Sequence, residues 1–126
     1  MALGAPGAER SAVVVAPDDE TRVLLRGLLR LHRIRVVAET DEPRRGAELA
    51  QEHRPQLLVV EIGPLRPPLG DLVARSRHAV PGIRVVVVTS TGATSPGVPG
   101  LREADAVLIR PFRVQTFGEA LQPPAA

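Results

Sequence analysis

Residues 83–88, with the sequence Ile-Arg-Val-Val-Val-Val, carry the strongest β-strand signal of this 126-residue chain. A short, β-branched run that stays apolar after Arg84 is typical of a strand buried on both faces, as in a parallel sheet. Four more short apolar runs accompany it: AVVVA at 12–16, IRVVA at 34–38, QLLVVE at 56–61 and AVLI at 106–109. The sequence therefore predicts five buried strands.

Helical patterns separate most of these runs. Pro-Asp-Asp-Glu at 17–20 signals a helix start, because acidic side chains stabilise the positive end of a helix. Thr40 or Asp41 is the expected cap of the next helix, which has Pro43 in its first turn. Strands that alternate with helices predict a doubly wound, five-stranded parallel α/β sheet with right-handed crossovers. The apolar residues that recur in the helices are Leu24, Leu25, Leu28, Leu29, Ala47, Leu49, Ala50, Leu69, Leu72, Val73, Val114, Phe117 and Leu121.

One segment interrupts the alternation between the fourth and fifth runs. Residues 89–100 read TSTGATSPGVPG, and ten of these twelve residues are Gly, Pro, Ser or Thr. This composition opposes a helix at almost every position, so we expect the fourth helix to be shortened or replaced by a loop. Residues 1–10 are expected to be a flexible tail and residues 122–126 a tail or linker, which leaves one domain at 11–121.

The composition argues against several classes of function. The chain has no cysteine, which removes disulfides and thiolate metal sites, and His32, His53 and His78 lie in polar sequence without metal-ligand spacing. The net charge is only +2 and the aromatic residues are Phe112 and Phe117 alone, which argues against direct nucleic-acid binding. The chain has no apolar run of membrane-spanning length and residues 1–10 lack a signal-peptide pattern, so we expect a soluble, cytoplasmic protein.

The first predicted helix carries a basic stripe of Arg22, Arg26 and Arg30. Asp18 lies four residues before Arg22, a spacing that favours an ion pair on a helix surface. We interpret the stripe as a solvated face of the helix.

Polar side chains stand where the apolar runs end. Glu61 ends the third run, Thr89 follows the fourth and Arg110 follows the fifth. Because the carboxyl ends of parallel strands meet at one edge of a sheet, we expect these three residues to meet in one pocket. The first run ends at Ala16 and Pro17, which carry no charge.

The segments around these positions resemble receiver domains of two-component response regulators. The resemblance rests on RPQLLVVEIGPL at 54–65, VVVVTS at 85–90 and AVLIRPF at 106–112, and it extends over about residues 11–121. It implies the (βα)5, flavodoxin-like receiver fold and a role in bacterial signal transduction.

The resemblance also assigns roles to individual positions. The phosphorylated aspartate of the family falls on Glu61, and its switch hydroxyl falls on Thr89. Its lysine falls on Arg110, which is followed by Pro111 and Phe112 as in the family, and its switch aromatic falls on Val107. Family members also carry a magnesium-binding acidic pair, which here falls on Ala16 and Pro17.

Asp18 and Asp19 are the candidates for a displaced acidic pair. In receiver domains the apolar residues of the first helix begin seven and eight positions after the second acid. Counting from Pro17 reaches Leu24 and Leu25 without a gap, so we interpret Asp18 and Asp19 as the helix start instead.

These substitutions predict a degenerate receiver. Mg²⁺ prefers carboxylate, water and phosphate oxygens, and only Glu61 remains among the expected ligands. Its side chain is one methylene longer than aspartate, which displaces the oxygens by roughly an ångström. We expect no metal or cofactor, with Mg²⁺ bound only if the domain still accepts phosphate. Our hypothesis for the pocket is an ion pair between Glu61 and Arg110 that holds one state; the other interpretation is that both side chains are solvated.

The predicted function is a non-enzymatic, phosphorylation-independent receiver-like module of a bacterial response regulator. It would bind protein partners or form a homodimer through the face of the fifth strand and last helix, with a covalently linked output domain as a further partner. Two other functions stay open. One is a receiver that accepts phosphate in a phosphorelay, and the other is a small-ligand sensor that uses the strand-end pocket and the loop at 89–100. Without a phosphate to follow, Thr89 is interpreted as bonding to local backbone.

Overall fold

Five strands and four helices alternate along the part of the chain that the computed structural model describes, residues 10–62, 69–90 and 103–122. The strands are β1 (Arg10–Val15), β2 (Ile34–Thr40), β3 (Leu57–Ile62), β4 (Arg84–Ser90) and β5 (Ala106–Arg110). The helices are α1 (Asp19–Leu31), α2 (Pro43–His53), α3 (Leu69–Ala79) and α4 (Val114–Leu121).

The strands form one parallel sheet in the order β2-β1-β3-β4-β5. This is the flavodoxin-like order, in which strand order reverses between β1 and β3. The predicted doubly wound, five-stranded α/β sheet is therefore confirmed. The strand ends differ from the predicted ends by one or two residues; β1 begins at Arg10, which the sequence had assigned to the tail and which lies beside Ile34 of β2.

The core lies in two layers, one on each face of the sheet. One layer includes Val14, Val59 and Val86 and packs against α1 and α4, while the other includes Val13, Val60 and Val87 and packs against α2 and α3. These layers explain why β1, β3 and β4 are mostly apolar, since both faces of these central strands are covered. The further fully buried members include Leu25, Leu29, Phe117 and Leu121 in the first layer and Leu58, Ile62, Leu69 and Leu72 in the second.

Two of the predicted core residues are largely exposed. Leu24 is 44% exposed and Val114 is 50% exposed, so the expectation that they face the core is wrong. Leu24 precedes the buried Leu25 and points about 100° away from it, so Leu24 lies at the margin of the face that Leu25 and Leu29 turn to the sheet.

The caps of the first two helices differ in kind. Asp18 caps α1, and its carboxylate accepts a hydrogen bond from the backbone N–H of Thr21. Glu42, with no side-chain hydrogen bond of its own, caps α2, so the expected cap by Thr40 or Asp41 is wrong. The hydroxyl of Thr40 instead accepts the backbone N–H of Glu42 at 3.1 Å, because β2 continues as far as Thr40.

The end of α1 packs against α4 through His32. Its ring lies 6.1 Å from that of Phe117, and its Nε2 is buried without a hydrogen-bond partner among the described residues. The expectation of polar surroundings is therefore wrong for His32. It arose because Arg30 and Arg33 lie near His32 in the sequence, while the ring beside it in space comes from a distant helix.

Some predictions fall outside the described residues. The shortened fourth helix and most of the loop at 89–100 belong there, as do residues 1–9 and 123–126 of the expected tails. Within the described ranges, no helix is long and apolar enough to cross a membrane.

Candidate functional site

Glu61 and Arg110 form an ion pair at the carboxyl edge of the sheet. Nη1 of Arg110 donates a hydrogen bond to Oε2 of Glu61 at 2.6 Å. The Glu61 side chain is only 10% exposed, whereas that of Arg110 is 38% exposed. The predicted contact between them is thus confirmed, and the nearly buried carboxylate has a cationic partner that also reaches solvent.

Strand alternation explains why these two side chains meet. Successive side chains of a strand point to opposite faces, so Glu61 shares a face with Val59 and Arg110 shares one with Leu108. Val59 and Leu108 both belong to the core layer beneath α1 and α4. Glu61 and Arg110 therefore extend that layer at its polar end, close to the start of α1.

The start of α1 brings acidic side chains to the same place. Asp18, Asp19, Glu20, Leu24 and Arg110 line an open cleft of about 760 Å³, which Thr21 completes. The hydrogen bonds from Thr21, first from its backbone N–H and then from its hydroxyl, lower the pKa of Asp18, with a smaller effect of the nearby Arg110 charge. Arg110 thus lies between Glu61 and the acidic residues at the start of α1.

Both acids of the supposed displaced pair have local roles. Asp18 is the helix cap, and its second oxygen accepts the Thr21 hydroxyl at 3.0 Å. Asp19 is the first residue of α1 and pairs with Arg22. The interpretation of Asp18 and Asp19 as the helix start is confirmed. The expected pair between Asp18 and Arg22 is wrong, since Asp19, one residue later, takes that partner.

The positions of the family's acidic pair hold no charge. Ala16 is fully buried beyond the end of β1, and Pro17 follows it as an exposed residue. The carbonyl of Ala16 accepts a hydrogen bond from Nη1 of Arg22 at 2.6 Å. Among the described residues, no group of three or more His, Cys, Asp or Glu side chains is arranged to hold a metal ion.

Thr89 lies close to the site but on the other side of the sheet. It is fully buried and sits beside Ile62 of β3 and Ile109 of β5. Alternation places its side chain with Val85 and Val87, in the layer beneath α2 and α3. The structure therefore brings Glu61 and Arg110 together, while Thr89 lies on the opposite face of the sheet.

Val107 lies on β5 and is 38% exposed, on the same face as the exposed Ile109. After β5 the chain turns through a cis peptide bond between Arg110 and Pro111. Phe112 then stacks on Phe117 of α4, with ring centroids 5.6 Å apart. The retained Pro-Phe sequence thus connects the end of β5 to the buried face of α4.

Sequence reasoning missed two members of this region. Thr21 was passed over, although an acid followed by a threonine three residues later is a capping spacing. Glu39 was also missed, because its partner Arg26 lies thirteen residues earlier and on another element. Arg26 contacts both Glu39 oxygens, at 2.6 and 2.8 Å, so this part of the basic stripe is paired rather than simply solvated.

The charged groups of the site are paired with one another. Its one carboxylate at the family's acceptor position is already paired with a cation, and the carboxylates above it are held by Thr21 and Arg22. Phosphoryl transfer to a carboxylate needs a metal ion or a comparable cationic clamp on the phosphate oxygens.

Comparison with known proteins supports the fold. No protein-family model matches the sequence, and no curated protein sequence matches it significantly. Among solved structures, the receiver domain of AraT, a response regulator from Geobacillus stearothermophilus, matches with a TM-score of 0.75 and 23% identity over 90% of this chain and 91% of that chain. A LuxR-family DNA-binding response regulator from Staphylococcus aureus matches with a TM-score of 0.72 and 20% identity over 89% of this chain and 95% of that chain. A response regulator receiver domain protein from Clostridium thermocellum matches with a TM-score of 0.74 and 16% identity over 89% of this chain and 90% of that chain. The chain therefore has the fold of a response regulator receiver domain.

Proposed function

We propose that this domain is a receiver-like signalling module that acts through protein–protein contacts without accepting phosphate. The observation that carries the proposal is the ion pair between Glu61 and Arg110, which occupies the place where a receiver domain would take up a phosphoryl group. In this proposal the pair keeps the domain in one state, so signalling depends on which partner is present rather than on phosphorylation.

Three features of the site support the loss of phosphate chemistry. The acceptor position carries Glu61, whose carboxylate is nearly buried and paired. Ala16 and Pro17 supply no carboxylate for Mg²⁺. Asp18, the nearest acid to them, is held at the helix start by two hydrogen bonds from Thr21.

The partner surface that we propose is the edge formed by β5 and α4. Val107, Ile109 and Val114 are exposed apolar side chains on these two elements. Apolar side chains of this kind favour contact with another protein surface, either a second copy of the domain or a covalently linked output domain. We propose a cytoplasmic, non-enzymatic role in bacterial signalling, in line with the resemblance to receiver domains.

Amide NMR spectra provide the test. Mg²⁺ is added first and beryllofluoride, a mimic of the phosphoryl group, second. We expect the amides of Glu61, Thr89 and β5 to keep their chemical shifts in both steps. Shifts that spread from Glu61 to Thr89 and β5 would show a working phosphate switch and would overturn the proposal. A metabolite that shifts the amides of Asp18 and Thr21 without Mg²⁺ would instead favour the small-ligand sensor.

A variant of the same chain serves as the positive control. It combines Ala16→Asp, Pro17→Asp, Glu61→Asp and Arg110→Lys, which together return the family's residues to the site. This variant should respond to Mg²⁺ and beryllofluoride when it is folded. If only the variant responds, the reagents work, and these four substitutions account for the unchanged chemical shifts of the natural sequence.

A further inference from the structure

A second charged surface lies at the opposite end of the sheet from Glu61. It is a cleft of about 300 Å³ between the end of α1 and the beginning of β2. Because the strands are parallel, the amino end of β2 and the carboxyl ends of β3 and β5 lie at opposite edges of the fold. The residues that line the cleft are Arg26, Arg30, Arg33, Ile34, Arg35 and Val36.

Most of the positive charge in this cleft is not neutralised. Within the described ranges, Arg30, Arg33 and Arg35 have no ion pair, whereas Arg26 is held by both oxygens of Glu39. Glu39 is the only acid in β2 itself, and its carboxylate is therefore already engaged. Three arginines gathered at one cleft repel one another, and an anion from outside the domain would relieve that repulsion.

More positive charge stands beside the cleft along the sheet. Arg10 begins β1 directly opposite Ile34. Burial, and secondly the charge of Arg84, lower the pKa of Arg10, so like charges also stand together here. This end of the sheet therefore presents a positive field that would attract an acidic partner.

The backbone of Arg33 determines which substitution can test the cleft without disturbing the fold. Its φ is 62°, in the left-handed region, just past the end of α1. Glycine is the usual residue at such a position, because any Cβ there is crowded by the backbone. Arg54 ends α2 in the same region with φ of 47°, so this conformation marks a helix end and makes glycine a tolerated substitute for Arg33.

We propose that this cleft binds an acidic, extended peptide segment of a partner protein. Carboxylates of the segment would pair with Arg30, Arg33 and Arg35, because the planar guanidinium matches a carboxylate with two parallel hydrogen bonds. The segment would lie along β2, which is the outermost strand on its side of the described sheet and can add a further strand through its backbone. The surface is separate from the pair of Glu61 and Arg110 and does not rest on the function proposed for that pair.

The chemistry of the cleft favours a peptide over a nucleic acid. Its lining has no aromatic side chain on which a base could stack. A strand edge offers alternating N–H and C=O groups, and a peptide backbone matches this alternation with a continuous ladder of hydrogen bonds. Ile34 and Val36 add an apolar wall beside the arginines, which suits alternating acidic and uncharged residues.

Fluorescence anisotropy with the complete chain tests the proposal. The probe is a labelled twelve-residue peptide of alternating glutamate and threonine, compared with the same peptide carrying glutamine and with a labelled DNA duplex of similar length. We expect the glutamate peptide to bind, to weaken as salt is raised and to bind more tightly than either of the other probes. Absence of binding, equal binding of the glutamine peptide or tighter binding of the duplex would each overturn the proposal.

Arg33→Gly is the decisive variant, because glycine suits the left-handed position and the fold should keep its melting temperature. We expect the affinity for the glutamate peptide to fall about fivefold or more, as for the loss of a charged hydrogen bond. Arg54→Gly is the matched control: Arg54 ends α2 with φ of 47°, lies outside the cleft and carries the same charge. Arg54→Gly should keep the affinity within about twofold, a loss set by net charge alone. An equal loss in both variants would mean that only net charge matters and would reject the site.

Discussion

Arg110 donates a hydrogen bond to Glu61 across an intervening strand. Glu61 is the penultimate residue of β3 and Arg110 ends β5, and β4 lies between these two strands in the sheet. In the sheet register Glu61 stands beside Val88, and Val88 stands beside Leu108. Arg110 is two residues beyond Leu108, so only a long side chain spans the diagonal to Glu61. The pair thus ties together two strand ends that share no backbone hydrogen bonds.

The unequal exposure of the pair predicts unequal effects of substitution. Arg110→Ala leaves a nearly buried carboxylate without its cation and should lower the free energy of unfolding by about 1–2 kcal/mol. Glu61→Gln keeps a hydrogen-bond acceptor beside an arginine that reaches water, so its effect should stay within about 0.5 kcal/mol. Urea unfolding of both variants and of the double variant measures the two effects and their coupling. Equal losses, or a larger loss for Glu61→Gln, would contradict this account of the pair.

Gly118 lies where α4 passes closest to His32. A Cβ added at Gly118 would overlap with Cε1 of His32 and lie 2.9 Å from its Nδ1. The ring is held beside Phe117 and has little room to retreat, so Gly118→Ala should lower the free energy of unfolding by about 1–3 kcal/mol. Gly27→Ala in α1 is the control, because a Cβ there meets no atom within 4 Å. It should stabilise the domain by about 0.5–1 kcal/mol, and similar thermal midpoints for the two variants would rule out the proposed clash.

Strand and helix patterns were sufficient to predict the sheet because burial on both faces leaves a strong signal in the sequence. Runs such as 83–88 contain little besides β-branched residues, and only a covered parallel sheet accommodates several of them. The strand ends were less certain. Thr40 and Arg10 are polar, and nothing in their own composition indicates that a neighbouring strand pairs with them.

The candidate site was predicted in part for similar reasons. The ends of β3 and β5 converge by topology, which brings Glu61 and Arg110 together. Which face each side chain takes depends on register, and a shift of one residue reverses it. Thr89 lies beside Ile62 in the sheet, one residue beyond the position beside Glu61, so its side chain points to the other face. Contacts between distant elements, such as His32 with Phe117, leave no periodic signal and were missed.

The pair of Arg26 and Glu39 lies at the surface, and we expect little stability from it. Half of the Arg26 side chain is exposed, and water screens its charge. Arg26→Ala should lower the free energy of unfolding only slightly at low salt. The difference from the natural sequence should shrink further at about 1 M salt, where charges are screened within a few ångströms. Urea unfolding at the two salt concentrations checks both statements. A large loss that is independent of salt would mean that Arg26 contributes through packing instead.

Asp18 makes the stability of the domain depend on pH in the acid range. The hydrogen bonds from Thr21 lower the pKa of Asp18 below its ordinary value of 3.8. Since the unfolded state takes up a proton before the folded state does, this stabilisation is complete above about pH 4 and is lost as the pH falls through the lower, folded-state pKa. Asp18→Asn keeps a capping oxygen but cannot titrate, so its stability should fall less steeply below pH 4 than that of the natural sequence. Thermal midpoints between pH 2.5 and 6 measure the difference. Asp41→Asn is the control, because Asp41 is exposed and its side chain makes no hydrogen bond in the described part of the chain. It should leave the pH dependence of the thermal midpoint unchanged. If Asp41→Asn weakens that dependence as much as Asp18→Asn does, the helix cap is not its cause.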